Sequence, residues 1–434
     1  MTFSTDTRTL QPGDIYVAIR GEVYDGHDFI LQAIEKGAAG IVTEVDVEAP
    51  ENVEVIYVES TLDYLTRKAS KKVRQHAPDV VAITGSVGKT STKTAVHAVL
   101  AEAFDVVASE GNKNTPLGLS LTLLKADFDS ETKLVLEMGA RLKGDIKELC
   151  SHFPPTVSIV TNVKGVHVET FESIEGVQRE KSEIVRALDG GGTACLNGDD
   201  PHVRAMAGHH RGTTLFYGKG EACDIRPEHI ITELPILGDH AVYTALAACT
   251  AGRALGMSFE AVNRGLANIQ PEKGRLARLR GRNDSVLIDD TYNASPEATL
   301  AALDVLCAQK GERYIAFLGD MLELGDTEVE EHARVLAAAV ESVDAIHAVG
   351  PIMARAAETL PAGQQARIML QPASSDLAEA LRAGHFYEPQ PGDVILVKGS
   401  QGTRMERVSE ALLHPNLNPE DMLPRQSESW KQIV

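Results

Sequence analysis

The stretch Gly85-Ser86-Val87-Gly88-Lys89-Thr90 has the residue types and spacing needed to hold a nucleoside triphosphate. Glycines let backbone N–H groups come close to phosphate oxygens, and a helix start behind them adds partial positive charge. Lys89 would neutralise bridging oxygens, and the Thr90 hydroxyl is set to hold Mg²⁺. The context fits this reading. An apolar run, Val80–Ile83, precedes the glycines, and Val96, Val99, Leu100 and Ala103 follow at helical spacing. The common form of this loop has a glycine where Ile83 stands, so the match is to a shorter variant, Thr-Gly-Ser-x-Gly-Lys-Thr. The competing reading is a Gly-Ser turn followed by a chance Lys-Thr; the flanking strand and helix favour the phosphate cradle.

Other residues could join that chemistry. Glu137 directly follows the apolar run Leu134–Leu136, and His167 and Glu169 follow Asn162 in a short polar segment. A carboxylate and an imidazole at strand ends suit a hard divalent ion that already touches phosphate oxygens and the Thr90 hydroxyl. Taken alone, they read as a solvated strand-end charge and a loop histidine. Lys181, in Gln178-Arg179-Glu180-Lys181-Ser182-Glu183-Ile184, reads by spacing as a surface lysine with helical charge partners. Arg275 and Asp290 are natural nucleotide contacts, a guanidinium for phosphate and a carboxylate for ribose hydroxyls. The segment Asp289–Ala294, ending at Ser295-Pro296, also reads as a plain helix-capping turn.

These side chains need a scaffold, and one pattern supplies it. Short apolar runs end abruptly in polar or glycine residues: Val80–Ile83, Leu134–Leu136, Val157–Val160, Ala194–Leu196, Val286–Ile288, Tyr314–Leu318, Ala345–Val349 and Val394–Val397. Continuous β-branched runs separated by helical stretches predict parallel strands covered on both faces. Ligands bind such sheets beyond the carboxyl ends of the strands, where this chain puts its polar residues. The fold class expected is α/β with three domains: a small α/β domain over residues 1–77, a central parallel-sheet domain of P-loop type over 78–271, and a Rossmann-like α/β domain over 272–434. The first is read from Ile15–Ile19, Gly40–Thr43, Val53–Val58 and a helical segment around Phe29–Lys36, with His76-Ala77-Pro78 as its exit. The stretch from Asn416 onward reads as a polar tail.

At 434 residues the chain is too long for one ordinary core. Its 43% hydrophobic and 24% charged content is that of a soluble globular protein. No stretch reads as a membrane span or a secretory signal. A net charge of -20 argues against nucleic acid or an anionic membrane as partner, though not against a small anionic substrate. The five cysteines are scattered with no Cys-x-x-Cys pair, which reads as reduced thiols and a cytoplasmic location.

The ordered set of motifs resembles the Mur ligase family of ATP-dependent amide-forming enzymes, over nearly the whole chain. It runs from Asp6-Thr7-Arg8, Pro12–Gly21 and Asp25-Gly26-His27-Asp28-Phe29 through Thr84–Thr90 and Gly111–Gly118. It continues with Glu137–Arg141, the His167 segment, Lys181–Ile184 and Asn197–Asp200, and ends with Gly274-Arg275, Asp289–Pro296, Gly319–Gly325 and Val397–Ser400. The resemblance implies ATP and Mg²⁺ as cofactors. It implies small-molecule substrates, a UDP-N-acetylmuramoyl-tripeptide and D-alanyl-D-alanine in the dipeptide-adding branch, no nucleic acid, no stable membrane insertion and a monomer.

The resemblance also implies roles. Thr7, Arg8, Asp25, Gly26 and His27 would hold the UDP-sugar end, with Asn112 and Asn114 also on substrate. Gly85 to Thr90 would cradle ATP, Thr90 and Glu137 would hold one Mg²⁺, and His167 a second. Lys181 matches a family lysine that CO₂ carbamylates, which would make it an anion beside that second ion. Lys89, His167, Lys181 and Arg275 would be catalytic. Arg275, Asp290 and Asn293 would contact nucleotide, and Lys398 and Ser400 the acceptor amine compound.

Three departures from the family pattern stand out. Ala241 and Thr244 replace two asparagines, one of which ordinarily contacts adenine; the stretch from Tyr217 to Pro235 is short; and no helix is expected before Asp6. Two further readings remain open at this point: a ligase of the same family adding another amino acid, and a non-catalytic relative that only binds nucleotide. A GTPase-like switch would need Asn-Lys-x-Asp, and Asn112-Lys113-Asn114-Thr115 lacks the aspartate.

Overall fold

A computed structural model describes residues 2–430 except 22–23, 112, 165–167 and 428–429, with the backbone alone at 168–169 and 239–240. The predicted apolar runs do form strands. In chain order these are β1 Phe3–Ser4, β2 Ile15–Val17, β3 Gly40–Thr43, β4 Glu54–Tyr57, β5 Asp79–Thr84, β6 Val106–Ala108, β7 Lys133–Glu137 and β8 Val157–Val160. There follow β9 Thr193–Asn197, β10 Thr213–Tyr217, β11 Ala277–Arg280, β12 Val286–Asp290, β13 Arg313–Gly319, β14 Ala345–Val349, β15 Ile368–Gln371 and β16 Asp393–Lys398. They make three sheets, ordered β1-β2-β3-β4, β10-β9-β8-β5-β7-β6 and β11-β12-β16-β13-β14-β15. Every pairing is parallel except β11 with β12, so the class is α/β.

The chain folds as two compact units, residues 1–233 with 243–269, and residues 234–242 with 270–434. Within the first unit, helix Thr61–His76 joins two sheets. Its Leu65 packs with Val17 and Val42 of the first sheet, while its Ala69 and Val73 enter the core of the second. The helix ends sharply: Ala77 adopts a left-handed φ of 48°, its N–H bonds to Val73 O, and Pro78 follows.

In the second unit, the stretch beyond Asn416 is not a loose polar tail. It forms helix Pro419–Met422, capped by Asn418, and Leu423 is buried against that unit's core. The cause is local: one apolar side chain and one arginine, Arg425, both find buried partners there. Among the described residues no helix is long and apolar enough to cross a membrane. All five cysteines are unpaired.

Candidate functional site

The phosphate loop leaves β5 at Gly85 and enters helix Lys89–Leu100 through Gly88, the N-cap, at a left-handed φ of 83°. Gly85 permits a close approach, because a Cβ there would lie 1.8 Å from Thr161 Oγ1. Residues just past β8 brace the loop. Thr161 Oγ1 donates to Val87 O at 2.7 Å, Asn162 Oδ1 accepts from Val87 N–H at 2.9 Å, and Ser86 N–H donates to Asn162 O at 3.0 Å. The sequence shows Thr161-Asn162 only as the polar end of an apolar run; their bracing role depends on β8 lying beside β5. Lys89 Nζ arches back over the loop, donating to Gly85 O at 2.9 Å. Thr90, in the first helical turn, is buried.

Strand β7 lies on the other side of β5 and pairs Glu137 with Ile83 in register. Glu137 is 2% exposed; its Oε1 accepts from Asn114 Nδ2 at 2.9 Å, and its Oε2 has no hydrogen-bond partner. Lys93 Nζ, itself buried, stands 3.9 Å from that oxygen. Sequence reasoning missed Lys93, whose place in the second turn of the helix gave no sign of burial. A buried carboxylate oxygen without a donor is a costly feature unless a cation completes it. Glu137 and Thr90 therefore fit a hard ion of the Mg²⁺ kind, which needs few carboxylates when phosphate oxygens and water fill its shell. Among the described residues no three His, Cys, Asp or Glu side chains converge as a metal cluster. Glu137→Gln is expected to raise the Mg²⁺ needed for half-maximal turnover about tenfold or more, measured by metal titration.

Lys181 corrects its spacing. It sits on helix Ile174–Arg186, which carries the expected charge partners, yet its side chain is buried rather than on the surface. Burial, with the nearby Lys89 charge adding to it, pushes its pKa down to about 7. Glu180 is buried too. It accepts the N–H groups of Gly144 and Ile146 at 2.8 and 2.9 Å, capping helix Asp145–His152 and fixing the helix that bears Lys181. His167 and Asn112 lie outside the described residues, as does the side chain of Glu169.

On the first sheet, Asp25, Gly26 and His27 form one tight turn. Asp25 Oδ1 accepts from His27 N–H at 3.0 Å and meets His27 Nδ1 at 2.5 Å, while His27 Nε2 accepts from Glu44 N–H. That network places the ring proton on Nδ1. The His27 hydrogen bonds hold the Asp25 carboxyl below its usual range. Gly26 is required, since a Cβ would lie 2.6 Å from Ile19 N. Thr7 is buried and donates to Gln32, whereas Arg8 is exposed and forks onto Asp6.

In the second unit, register brings four expected residues together. Asp290 of β12 pairs with Lys398 of β16 across the sheet, and their side chains form a 2.5 Å ion pair. Lys398 Nζ also donates to Asn293 O at 3.0 Å, and the other Asp290 oxygen accepts from Leu276 N–H. Ser400 Oγ accepts from Leu322 N–H at 2.9 Å and bonds Ala294 O. Arg275 lies over the Tyr292 ring, 4.2 Å from its centre. Beneath them Asp289 is fully buried, and that burial raises its pKa to about 7. Of the two positions where asparagines are replaced, Ala241 belongs to the second unit and Thr244 to the first; both are buried, and neither side chain is an amide.

Residues 3–87 match the model of the Mur ligase family catalytic domain, residues 83–252 the Mur ligase middle domain, and residues 274–401 the Mur ligase glutamate ligase domain. The chain is 32% identical to the UDP-N-acetylmuramoyl-tripeptide–D-alanyl-D-alanine ligase of Bacillus subtilis, over 96% of this chain and 93% of the relative. It is 31% identical to that of Escherichia coli, over 94% and 93%. Among solved structures it is similar to MurF from Acinetobacter baumannii, with a TM-score of 0.85, 29% identity, and coverage of 94% and 93%. It is also similar to MurF ligase from Thermotoga maritima in complex with ADP, with a TM-score of 0.79, 28% identity, and coverage of 94% and 96%.

Proposed function

The chain belongs to the Mur ligase family, and from that premise we infer how its residues divide the work of making an amide. The enzyme uses ATP and Mg²⁺ to join D-alanyl-D-alanine to a UDP-N-acetylmuramoyl-tripeptide, a step of peptidoglycan synthesis. One observation carries this: likeness to ligases of that specificity extends over nearly the full length of both chains.

The reaction has two steps. A peptide carboxylate oxygen attacks the γ-phosphorus of ATP, the bond to the bridging oxygen breaks, and ADP leaves with that electron pair. The acceptor amine then attacks the carbonyl carbon of the acyl phosphate, loses a proton, and expels phosphate. The first step brings two anions together, so catalysis is mainly positioning and charge stabilisation. Bound Mg²⁺ supplies further positive charge at the phosphates, and Thr90 and Glu137 are the described residues suited to hold it.

We assign Gly85 to Thr90 to the ATP phosphates, with Lys89 on the reacting end, supported by the braced loop and the arched lysine. We also assign Lys181, as its carbamate, and His167 to a second ion site, and Asn112 and Asn114 to substrate. Thr7, Arg8, Asp25, Gly26 and His27 take the UDP-sugar end. Arg275, Asp290 and Asn293 serve the nucleotide, and Lys398 and Ser400 the acceptor. The matching functional domains are residues 1–77, 78–271 and 272–434. We further propose a cytoplasmic enzyme, in line with five free thiols, and a monomer, which a net charge of -20 favours.

A phosphate-release assay with a panel of acceptor amines tests the reading. D-alanyl-D-alanine should support Mg²⁺-dependent phosphate release, and single amino acids should not. Faster release with another acceptor would reassign the specificity, and none with any acceptor would remove the activity.

A further inference from the structure

Arg425 closes a buried ion network under the segment that follows Asp290. Its side chain is 6% exposed, and Nη2 donates to Glu406 Oε2 at 2.9 Å and to the carbonyl of Thr291. Nη1 donates to the carbonyl of Tyr292 at 3.2 Å. Glu406, 1% exposed, meets Arg404 Nε through its other oxygen at 2.5 Å. With both carboxylate oxygens engaged by guanidinium groups, the two terminal nitrogens of Arg425 also reach peptide oxygens, while its buried Nε has no hydrogen-bond partner among the described residues.

Those two carbonyls flank the Tyr292 Cα on either side, and the Tyr292 ring supports the Arg275 guanidinium. The Tyr292 N–H also donates to Gly274 O at 3.0 Å, so the two segments are tied by backbone as well. Pro424 packs on the same turn, since a Cβ on Gly274 would lie 3.0 Å from Pro424 Cγ. Leu423 is buried beside it. A continuous chain of contacts thus runs from Glu406 through Arg425 and the Tyr292 peptide to Arg275.

We propose that Arg425 is a positioning residue for ATP use, holding the Thr291-Tyr292 peptide so that Tyr292 presents Arg275 in a fixed orientation. The inference rests on the assignment of Arg275 to an ATP phosphate. Arg425 touches no substrate; it acts through Tyr292. A merely structural role would lower stability and the amount of active enzyme, and would leave the KM for ATP unchanged.

The test uses the full chain with Arg275→Ala, Arg425→Met, Arg425→Lys and the double variant Arg275→Ala/Arg425→Met. For each, kcat, the KM for ATP and the KM for the UDP-N-acetylmuramoyl-tripeptide are measured, with a melting curve. Arg425→Met should raise the KM for ATP about tenfold, leave the KM for the nucleotide-sugar peptide within about twofold, and add little to Arg275→Ala in the double variant. Arg425→Lys, which keeps a cation on Glu406, should recover part of the loss, and it carries the comparison should Arg425→Met fail to fold. If Arg275→Ala raises the KM for ATP and Arg425→Met does not, the inference is wrong and the assignment of Arg275 stands. Fully additive losses also overturn it, because the two residues would then act independently. If Arg275→Ala leaves ATP use intact, the assignment itself fails and takes the inference with it.

Discussion

Lys89→Ala is expected to lower turnover by about a thousandfold or more, the scale of losing a preorganised charge at a transferring phosphoryl group. Two effects converge on this side chain. It is the cation of the phosphate loop, held over the Gly85 and Ser86 carbonyls. Its charge is also the second cause, after burial, of the depressed Lys181 pKa. Removing it takes positive charge from the phosphates and lets Lys181 hold its proton more tightly. Lys89→Arg should not rescue fully, because a planar fork differs from a compact ammonium inside so tight a loop. Steady-state phosphate release together with direct nucleotide binding separates a lost chemical step from lost affinity. Turnover within about tenfold of wild type would remove Lys89 from the transition state.

Which parts of the fold show in the sequence follows from where each strand lies. The runs that became β5, β7, β8, β9, β12, β13, β14 and β16 are apolar on both faces. Interior strands buried on both faces leave that signature, and β7, β9, β12 and β14 keep it one place from an edge. The strands that escaped notice, β1, β6, β10, β11 and β15, all lie at sheet edges. Their residues are half-exposed, as in Ile368–Gln371, where the middle two side chains face solvent. Edge strands need not be continuously apolar, so composition does not announce them.

The site divides in the same way. The phosphate loop is local, with every residue of its chemistry within one short stretch. Glu137 could be found because a strand end is a local sign too. Lys93, Glu180 and Arg425 could not. Lys93 reads as one more polar residue on a helix, and the partners of Glu180 and Arg425 lie from 19 to 134 residues away, at Gly144 and Ile146, and at Thr291, Tyr292 and Glu406. Burial of Lys181 belongs to the same class. Its helix has ordinary charge spacing, and only the packing of that helix decides which lysine loses water.

Lys181 yields the second large effect. Carbamylation needs the free amine: the ammonium first loses one proton, the neutral nitrogen attacks the carbon of CO₂ as a C=O π pair moves onto oxygen, and loss of a second proton from nitrogen leaves an anion where a cation had been. An ordinary lysine, with a pKa near about 10.4, offers roughly one free amine in a few thousand at neutral pH. With the pKa pushed down to about 7, close to half the Lys181 amines are free there. Turnover is therefore expected to fall several-fold in CO₂-free buffer, to return with bicarbonate, and to decline as pH drops from about 8 to about 6. Lys181→Met should cost about a hundredfold in turnover and abolish the bicarbonate response. Labelled ¹³C-bicarbonate should give a carbamate resonance in wild type that the variant lacks.

The same burial makes an opposite prediction for stability. Because the folded pKa is below the unfolded one, the unfolded chain binds the extra proton between about pH 7 and the ordinary lysine range. The penalty, on the order of a few kcal/mol, is full below about pH 7 and vanishes as pH rises through the unfolded pKa. In CO₂-free buffer at neutral pH, Lys181→Met should thus melt higher than wild type while turning over far less. Wild-type turnover indifferent to bicarbonate, together with a Lys181→Met variant that melts no higher, would mean that this amine is neither modified nor held at a cost.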